Sequence, residues 1–238
     1  MIDPKIENHF KNWNTVIKKQ PKKMQSLNKK MIWNLFISKS REEFEKVKKN
    51  KNDEFTINNQ NKEIIYTVLC YFLKLENFNQ FNLIKNEASL NKGLLIYGDY
   101  GVGKSFLFKV LQEMGREISL KYKDNSFWFT SISTGSFVDE YMKSIKNTNS
   151  SFDIKNYYRG KLYIDDLGFE KLAFLSFELI GEVLFERDRN EAITFLTTNL
   201  TPSEITERYK ERIGDRLPAM FNIIKWEGKS FRHKNKKL

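Results

Sequence analysis

Residues 98–105 read Gly-Asp-Tyr-Gly-Val-Gly-Lys-Ser and follow directly on the apolar run Leu94-Leu95-Ile96-Tyr97. The spacing G-x-x-x-x-G-K-[ST] between a short buried strand and a helix admits few folds. Glycines let backbone N–H groups turn inward around phosphate oxygens, where a β-carbon would stand in the way. The helix that begins at Ser105 aims its positive N-terminal end at the same oxygens. Lys104 is placed to reach the β- and γ-phosphates, and the Ser105 hydroxyl to ligate magnesium (Mg2+). Gly98, Asp99, Tyr100, Gly101, Val102 and Gly103, with Lys104, Ser105 and Phe106 opening the helix, are therefore expected to line a nucleotide.

From residue 62 the chain alternates helices with buried strands. An apolar helix around Ile64–Leu73 precedes the strand Leu94–Tyr97, and a helix over Ser105–Gly115 follows the glycine turn. Residues 126–133 read as a second strand, 161–166 as a third, 174–187 as a helix and 192–199 as a strand. The chain then closes with one more helix and a basic tail. This order predicts an α/β fold, with a parallel sheet covered on both faces.

A working phosphate site needs an acid at a neighbouring strand end. In Lys-Leu-Tyr-Ile-Asp-Asp, Asp165 and Asp166 emerge at the carboxyl edge, where ligands bind in such sheets. Asp165 is expected near magnesium, and Asp166 beside the attacking water. The strand Ala192–Asn199 ends in Thr197, Thr198 and Asn199, and Asn199 is placed to hydrogen-bond the γ-phosphate or the water. Asn also simply begins loops, so the pattern gains its force from the other two components. Together they predict an ATPase site using ATP and Mg2+.

Thr201, Pro202 and Glu204 form a helix start with a capping box. Continued as one helix, Ile205, Tyr209, Ile213 and Leu217 share a face, with Arg208, Arg212 and Arg216 on the adjacent one and Gly214 as a weak point. Acidic neighbours make a salt-bridged surface one reading of these arginines. An arginine supplied in trans to a neighbour's γ-phosphate is the other.

The net charge of +11 is unevenly placed. Residues 1–55 hold 14 Lys and Arg against 7 Asp and Glu, residues 225–238 hold 6 against 1, and the middle is near neutral. Such ends suit a polyanion, or serve solubility. Ile6, Phe10, Trp13 and Ile17 mark a helical stripe that Pro21 stops. Leu27, Met31, Leu35 and Phe36 mark a second, and residues 50–61 read as a linker. Residues 1–60 are thus expected to form a helical segment, with the inside of a small bundle and a partner-docking face as its two readings, and residues 61–238 the nucleotide-binding domain. Cys70, in an apolar helix, reads as a buried thiol, and His9 and His233 have no ligand spacing. No apolar run approaches a bilayer span, and the polar N-terminus is unlike a secretory signal, so a cytoplasmic protein with no membrane contact is expected.

Taken in order, "GLLIYGDYGVGKS", "LYIDDLG", "TTNL" with its Pro-Ser-Glu turn, "YKERIGDRL" and "WEGKSFR" resemble AAA+ ATPases of the DnaC/IstB type, over roughly residues 62–232. The resemblance implies a P-loop NTPase, a three-layer α/β/α fold with a five-stranded parallel sheet of order 5-1-4-3-2. It also implies ATP between neighbouring subunits of a homo-oligomer, with single-stranded DNA on the inner side of a ring. Asn199 then corresponds to sensor 1, Arg216 to the arginine finger with Arg212 as second candidate, and Arg232 to the sensor 2 arginine. Asp166 stands where many AAA+ proteins have Glu; its shorter side chain predicts slow turnover, as in a switch. Only 39 residues follow Asn199, which implies a reduced C-terminal lid.

The resemblance implies a helicase loader on single-stranded DNA, with a replicative helicase as partner. The alternative is an IstB-like helper of DNA transposition, with a transposase as partner. A small-molecule kinase would want an arginine-rich lid over the nucleotide, and here the arginines follow the sensor-like strand. A non-hydrolysing nucleic-acid binder would have no need of Asp165, Asp166 and Asn199. Lys143 and Lys146 are candidate DNA contacts between residues 132 and 160.

Overall fold

A computed structural model describes residues 27–48, 54–147 and 149–231. Five parallel strands form one sheet: β1 (Gly93–Gly98), β2 (Thr130–Ser133), β3 (Leu162–Leu167), β4 (Thr194–Thr198) and β5 (Phe221–Trp226), in the order β2-β3-β4-β1-β5. This is the expected order 5-1-4-3-2. The interior strand β1 pairs with β4 on one side and β5 on the other, and its run Leu94-Leu95-Ile96 is buried on both faces. Continuous apolar strands are what a sheet covered on two sides requires.

Alternate residues feed two cores. Leu94, Ile96, Tyr163, Phe195, Ile224 and Trp226 face the helices α1 (Lys29–Val47), α2 (Lys62–Phe72) and α3 (Lys104–Tyr122). Leu95, Leu162, Ile164, Leu196 and Phe221 face α4 (Thr134–Lys146), α5 (Leu179–Arg189), α6 (Pro202–Tyr209) and the short turns α7 (Glu211–Gly214) and α8 (Leu217–Met220). Cys70 is buried in the first core, and burial pushes its thiol up, as a structural cysteine predicts.

Helix α1 lies on the N-terminal side of the expected boundary at residue 60, yet it shares this core through Ile32 and Phe36. Of the expected stripe Leu27, Met31, Leu35 and Phe36, only Phe36 is buried and the other three are half-buried; the buried row is Ile32, Phe36, Ser40 and Glu43. Two ion pairs fasten α1 to α3: Lys39 to Glu117 at 2.9 Å and Glu43 to Lys109 at 3.1 Å. Within the expected linker, Phe55 packs against Phe36, Phe44 and Phe106, so this stretch is partly core. The stripe Ile6–Ile17, both histidines and most of the basic charge at the two ends lie outside the described residues.

Four local readings are corrected. The strand β5 was expected as helix or tail; Asn222 decides otherwise, since its side chain binds the carbonyls of Ser89 and Gly93 at 2.8 and 2.9 Å and seats the strand beside β1. Helix α3 runs seven residues past Gly115, because its apolar positions Ile118 and Tyr122 still reach the core. Residues 174–178 precede α5 as an irregular turn, with left-handed Phe174 and Leu175 (φ 51° and 65°). The helix from Pro202 breaks at Lys210 (φ 69°), not at Gly214. Gly214 instead permits close packing, as a Cβ there would come within 2.3 Å of Thr206 Oγ1.

At the edge away from the P-loop, Arg187 is fully buried. It donates to Thr194 Oγ1 and to the carbonyls of Tyr157, Arg159, Gly160 and Ile193 at 2.6–3.3 Å, and burial pushes it down to about 10. No carboxylate is among these partners; five neutral oxygens hold the cation. Among the described residues no helix is long and apolar enough to cross a membrane.

Candidate active site

The carboxyl ends of β1, β3 and β4 lie side by side, which brings the three sequence components to one rim. The turn after β1 could hold only glycine at two points. A Cβ on Gly98 would sit 2.2 Å from the Trp226 carbonyl oxygen, and Gly103 caps α3 at φ 108°. The ring of Trp226 lies under the turn, 3.7 Å from where a Gly103 Cβ would be.

Lys104 is buried, and its ammonium donates to the carbonyls of Gly98 and Asp99 at 2.9 and 2.7 Å and to Asn199 Oδ1 at 2.8 Å. The P-loop lysine and the sensor-position asparagine are therefore in direct contact. Beyond β5 the chain returns to this turn: Gly228 N–H donates to Asp99 Oδ2 at 2.9 Å and Phe231 N–H to the Gly101 carbonyl at 2.9 Å. Arg232 lies just outside the described residues.

Asp165 Oδ1 accepts from Tyr163 Oη at 2.5 Å and from Thr197 Oγ1 at 2.7 Å. Ser105 reaches the same tyrosine hydroxyl, and the ring of Tyr163 stacks on Phe108 of the P-loop helix at 4.3 Å. Burial, and then the Asp165 charge, push the Tyr163 phenol well above its ordinary range, so it remains a donor. The sequence pattern alone gives Tyr163 no role beyond a place in the strand. Its signal is the alternation that puts its side chain on the same face as Asp165.

Ser105, Asp165 and Thr197 form an oxygen-only set with one carboxylate. Among the described residues no group of three or more His, Cys, Asp or Glu is arranged to hold a metal ion. A magnesium ion shared with phosphates needs only one or two carboxylates, so the residues present fit it.

Asp166 is left-handed (φ 54°), an uncommon state for a residue with a β-carbon. The β3–β4 register shifts between Ile164 and Leu167. That irregularity turns Asp166 out of the strand's alternation, as bulges beside active sites do. The Asp166 carbonyl accepts from Thr134 Oγ1 at 2.9 Å and its N–H meets Thr197 Oγ1 at 3.4 Å.

The break at Lys210 separates the three arginines. Arg208 turns to the loop after Asp166, donating to the carbonyls of Gly168 and Glu170. Arg212 and Arg216 instead gather over Phe185, at 3.4 and 4.9 Å from its ring centre. Arg216 pairs with Asp188, and Arg212 lies 3.8 Å from Glu182. Both remain part-exposed, lying on the helix α5 that leads into the start of β4, whereas Asn199 follows that strand's end. Lys143 and Lys146 are exposed in the last turn of α4.

Residues 75–223 match the family model of the bacterial DnaA ATPase domain, which is more than half of the chain. The chain belongs to the bacterial DnaA ATPase-domain family. This agrees with the P-loop AAA+ fold class read from the motifs. The replicative helicase loader DnaI of Bacillus subtilis is 26% identical over 166 residues, covering 62% of this chain and 50% of DnaI. The chromosomal replication initiator protein DnaA of Buchnera aphidicola is 28% identical over 144 residues, covering 58% of this chain and 32% of that protein. A crystal structure of the DnaC helicase loader has a TM-score of 0.48 and 19% identity, covering 73% of this chain and 94% of that one. The aligned parts thus span at most half the length of the curated relatives.

Proposed function

We propose that this chain is an ATP-dependent switch that loads a replicative helicase onto single-stranded DNA. The observation that carries the reading is the convergence of Lys104, Asn199 and the Ser105–Asp165–Thr197 oxygens at one rim. Lys104 would hold ATP by exchanging its carbonyl partners for phosphate oxygens, and Asn199, already in contact with it, would report the γ-phosphate. Ser105 and Asp165 would hold magnesium, which supplies charge neutralisation between phosphate oxygens. Asp166 would orient the attacking water and, with its short side chain, do so slowly.

Arg216 or Arg212 would complete a neighbour's site. What supports this is their part-exposed position on Phe185, in the helix that leads into the start of β4. The loop after Asp166 exposes Phe169 and Leu175 by 83% and 92%, apolar surface that assembly would cover. Arg232 would act as sensor 2, a role supported by the return of Phe231 to the P-loop. Residues 1–60 would form the helicase-docking segment, and the basic ends with Lys143 and Lys146 would contact DNA. The names of the curated relatives, both replication proteins, favour loading over transposition.

The test is steady-state ATP hydrolysis with and without single-stranded DNA and a hexameric replicative helicase. Slow hydrolysis that changes when DNA and helicase are added is expected. No hydrolysis under any of these conditions would remove the switch, and stimulation by a transposase instead would replace the partner.

A further inference from the structure

Two residues past Asp166, Gly168 has both its backbone groups taken by side chains. Its N–H donates to Glu170 Oε2 at 3.0 Å, and its carbonyl accepts from Arg208 NH1. Glu170 is almost fully buried; its other oxygen, Oε1, accepts from Tyr209 Oη and from Arg208 NH2 at 3.2 Å. Arg208 NH2 also binds the Glu170 carbonyl at 2.6 Å. Arg208 and Tyr209 end helix α6, which starts three residues after Asn199. One buried carboxylate therefore ties the loop that leaves Asp166 to the helix that leaves Asn199.

The tie has something to hold. Asp166 sits in a left-handed conformation and Gly168 at φ 93°, in a stretch whose ladder register is shifted. Such a conformation persists only where its surroundings over-determine it. On one side Thr134 and Thr197 hold the Asp166 backbone. On the other side the Leu167 carbonyl accepts from Thr198 Oγ1 at 2.7 Å and Phe169 N–H closes a turn onto the Asp166 carbonyl at 3.1 Å, while Glu170 and Arg208 hold Gly168 itself. Replacing either frees Gly168, and the relaxed turn would carry the Asp166 carboxylate with it.

We propose that Glu170, gripped by Arg208 and Tyr209, is a positioning residue that sets Asp166 and couples its place to the Asn199 strand. This rests on the ATPase reading above. In it, a change sensed at Asn199 reaches Asp166 through α6, so the acid is aligned only when the sensor strand is in place.

The variants are Glu170→Gln and Arg208→Lys in the full chain. Each stays close to the original side chain in size and polarity but loses part of the set: Gln has one acceptor oxygen where Glu170 uses two, and Lys has one nitrogen where Arg208 uses two. Misplacement by about an ångström costs about 100-fold, so kcat is expected to fall by about that factor, with KM and Mg·ATP affinity within about twofold. In an Asp166→Asn background, Glu170→Gln should cost nothing further, since it acts through Asp166. A purely structural role would instead lower kcat equally in both backgrounds, or weaken nucleotide binding in step with folding stability, and either result overturns the proposal. Amide hydrogen exchange over residues 166–169 provides a readout that does not depend on turnover. Faster exchange there in both variants supports the clamp, and unchanged exchange overturns it. A wild-type chain that fails to hydrolyse ATP while its exchange responds as stated would count against the ATPase reading alone.

Discussion

Lys104 Nζ donates to Asn199 Oδ1 at 2.8 Å, across 95 residues of chain. The contact exists because β4 pairs with β1 in parallel register, Tyr97 opposite Thr198, so that both strands end at the same height. Two of the ammonium's acceptors are carbonyls of the glycine turn, which suits it to exchange them for phosphate oxygens.

Lys104→Ala is predicted to weaken Mg·ATP binding about 10- to 100-fold, since hydrogen bonds to a charged group contribute about 1.5–3 kcal/mol. Titration calorimetry on folded wild type and variant measures it. Equal affinities would sink the phosphate role of this lysine.

Arg216→Ala is predicted to bind Mg·ATP as wild type does and to lose most hydrolysis, since a trans-acting arginine contributes about 10³-fold. Its pair with Asp188 is part-exposed, so stability should change little. Mixing it with Asp166→Asn subunits should restore activity, because one shared site then has both groups intact. If Arg216→Ala is active and Arg212→Ala is not, the roles pass to Arg212; no recovery in any mixture speaks against shared sites.

Stability is predicted to fall as pH rises from about 4.5 to about 7 through Glu178. Burial first, and the neighbouring Glu170 charge, push this carboxyl up to about 7 from its ordinary 4.5, against the pull of Arg208. The folded chain keeps the proton while the unfolded chain loses it, so the contribution is complete below the lower value and gone above the higher. Glu178→Gln should therefore stabilise the protein at pH 8, on the order of 1–3 kcal/mol, with the gain shrinking towards pH 5. Urea midpoints at both pH values decide it; a gain of equal size at both would point to packing instead.

Arg187→Met is predicted to destabilise by about 3 kcal/mol or more, because each buried carbonyl left unpaired costs about 1–3 kcal/mol. Thr194 begins β4 at the edge opposite Asn199, so ATP affinity per folded molecule should be unaffected. Denaturant unfolding and a binding titration test the two halves separately. A loss below about 1 kcal/mol would mean that water takes over the carbonyls.

The candidate phosphate site was legible because its pattern is local. Gly98, Gly103, Lys104 and Ser105 fall within a backbone turn of eight residues, and Asp165 and Asn199 announce themselves as polar ends of apolar strands. The capping box at Thr201 and Glu204 was legible for the same reason, being closed within one helical turn. Periodicity also found the apolar row Ile205, Tyr209, Ile213 and Leu217, all of which are buried in one core even though the helix carrying them is broken.

Tertiary structure alone decided what depends on partners far away in sequence. Nothing in the sequence near Lys210 announces its positive φ; in the fold the chain turns there, Gly214 packs against Thr206, Arg208 reaches Glu170, and Arg212 and Arg216 reach Phe185. Strand β5 needed Asn222 to find Ser89 and Gly93, and Tyr163 became a donor to Asp165 only beside Thr197. Short-range spacing thus determined which groups can grip a phosphate. The packing of separate elements decided which arginine faces which acid and how Asp166 is turned, since those hydrogen bonds join residues that only the fold brings within reach.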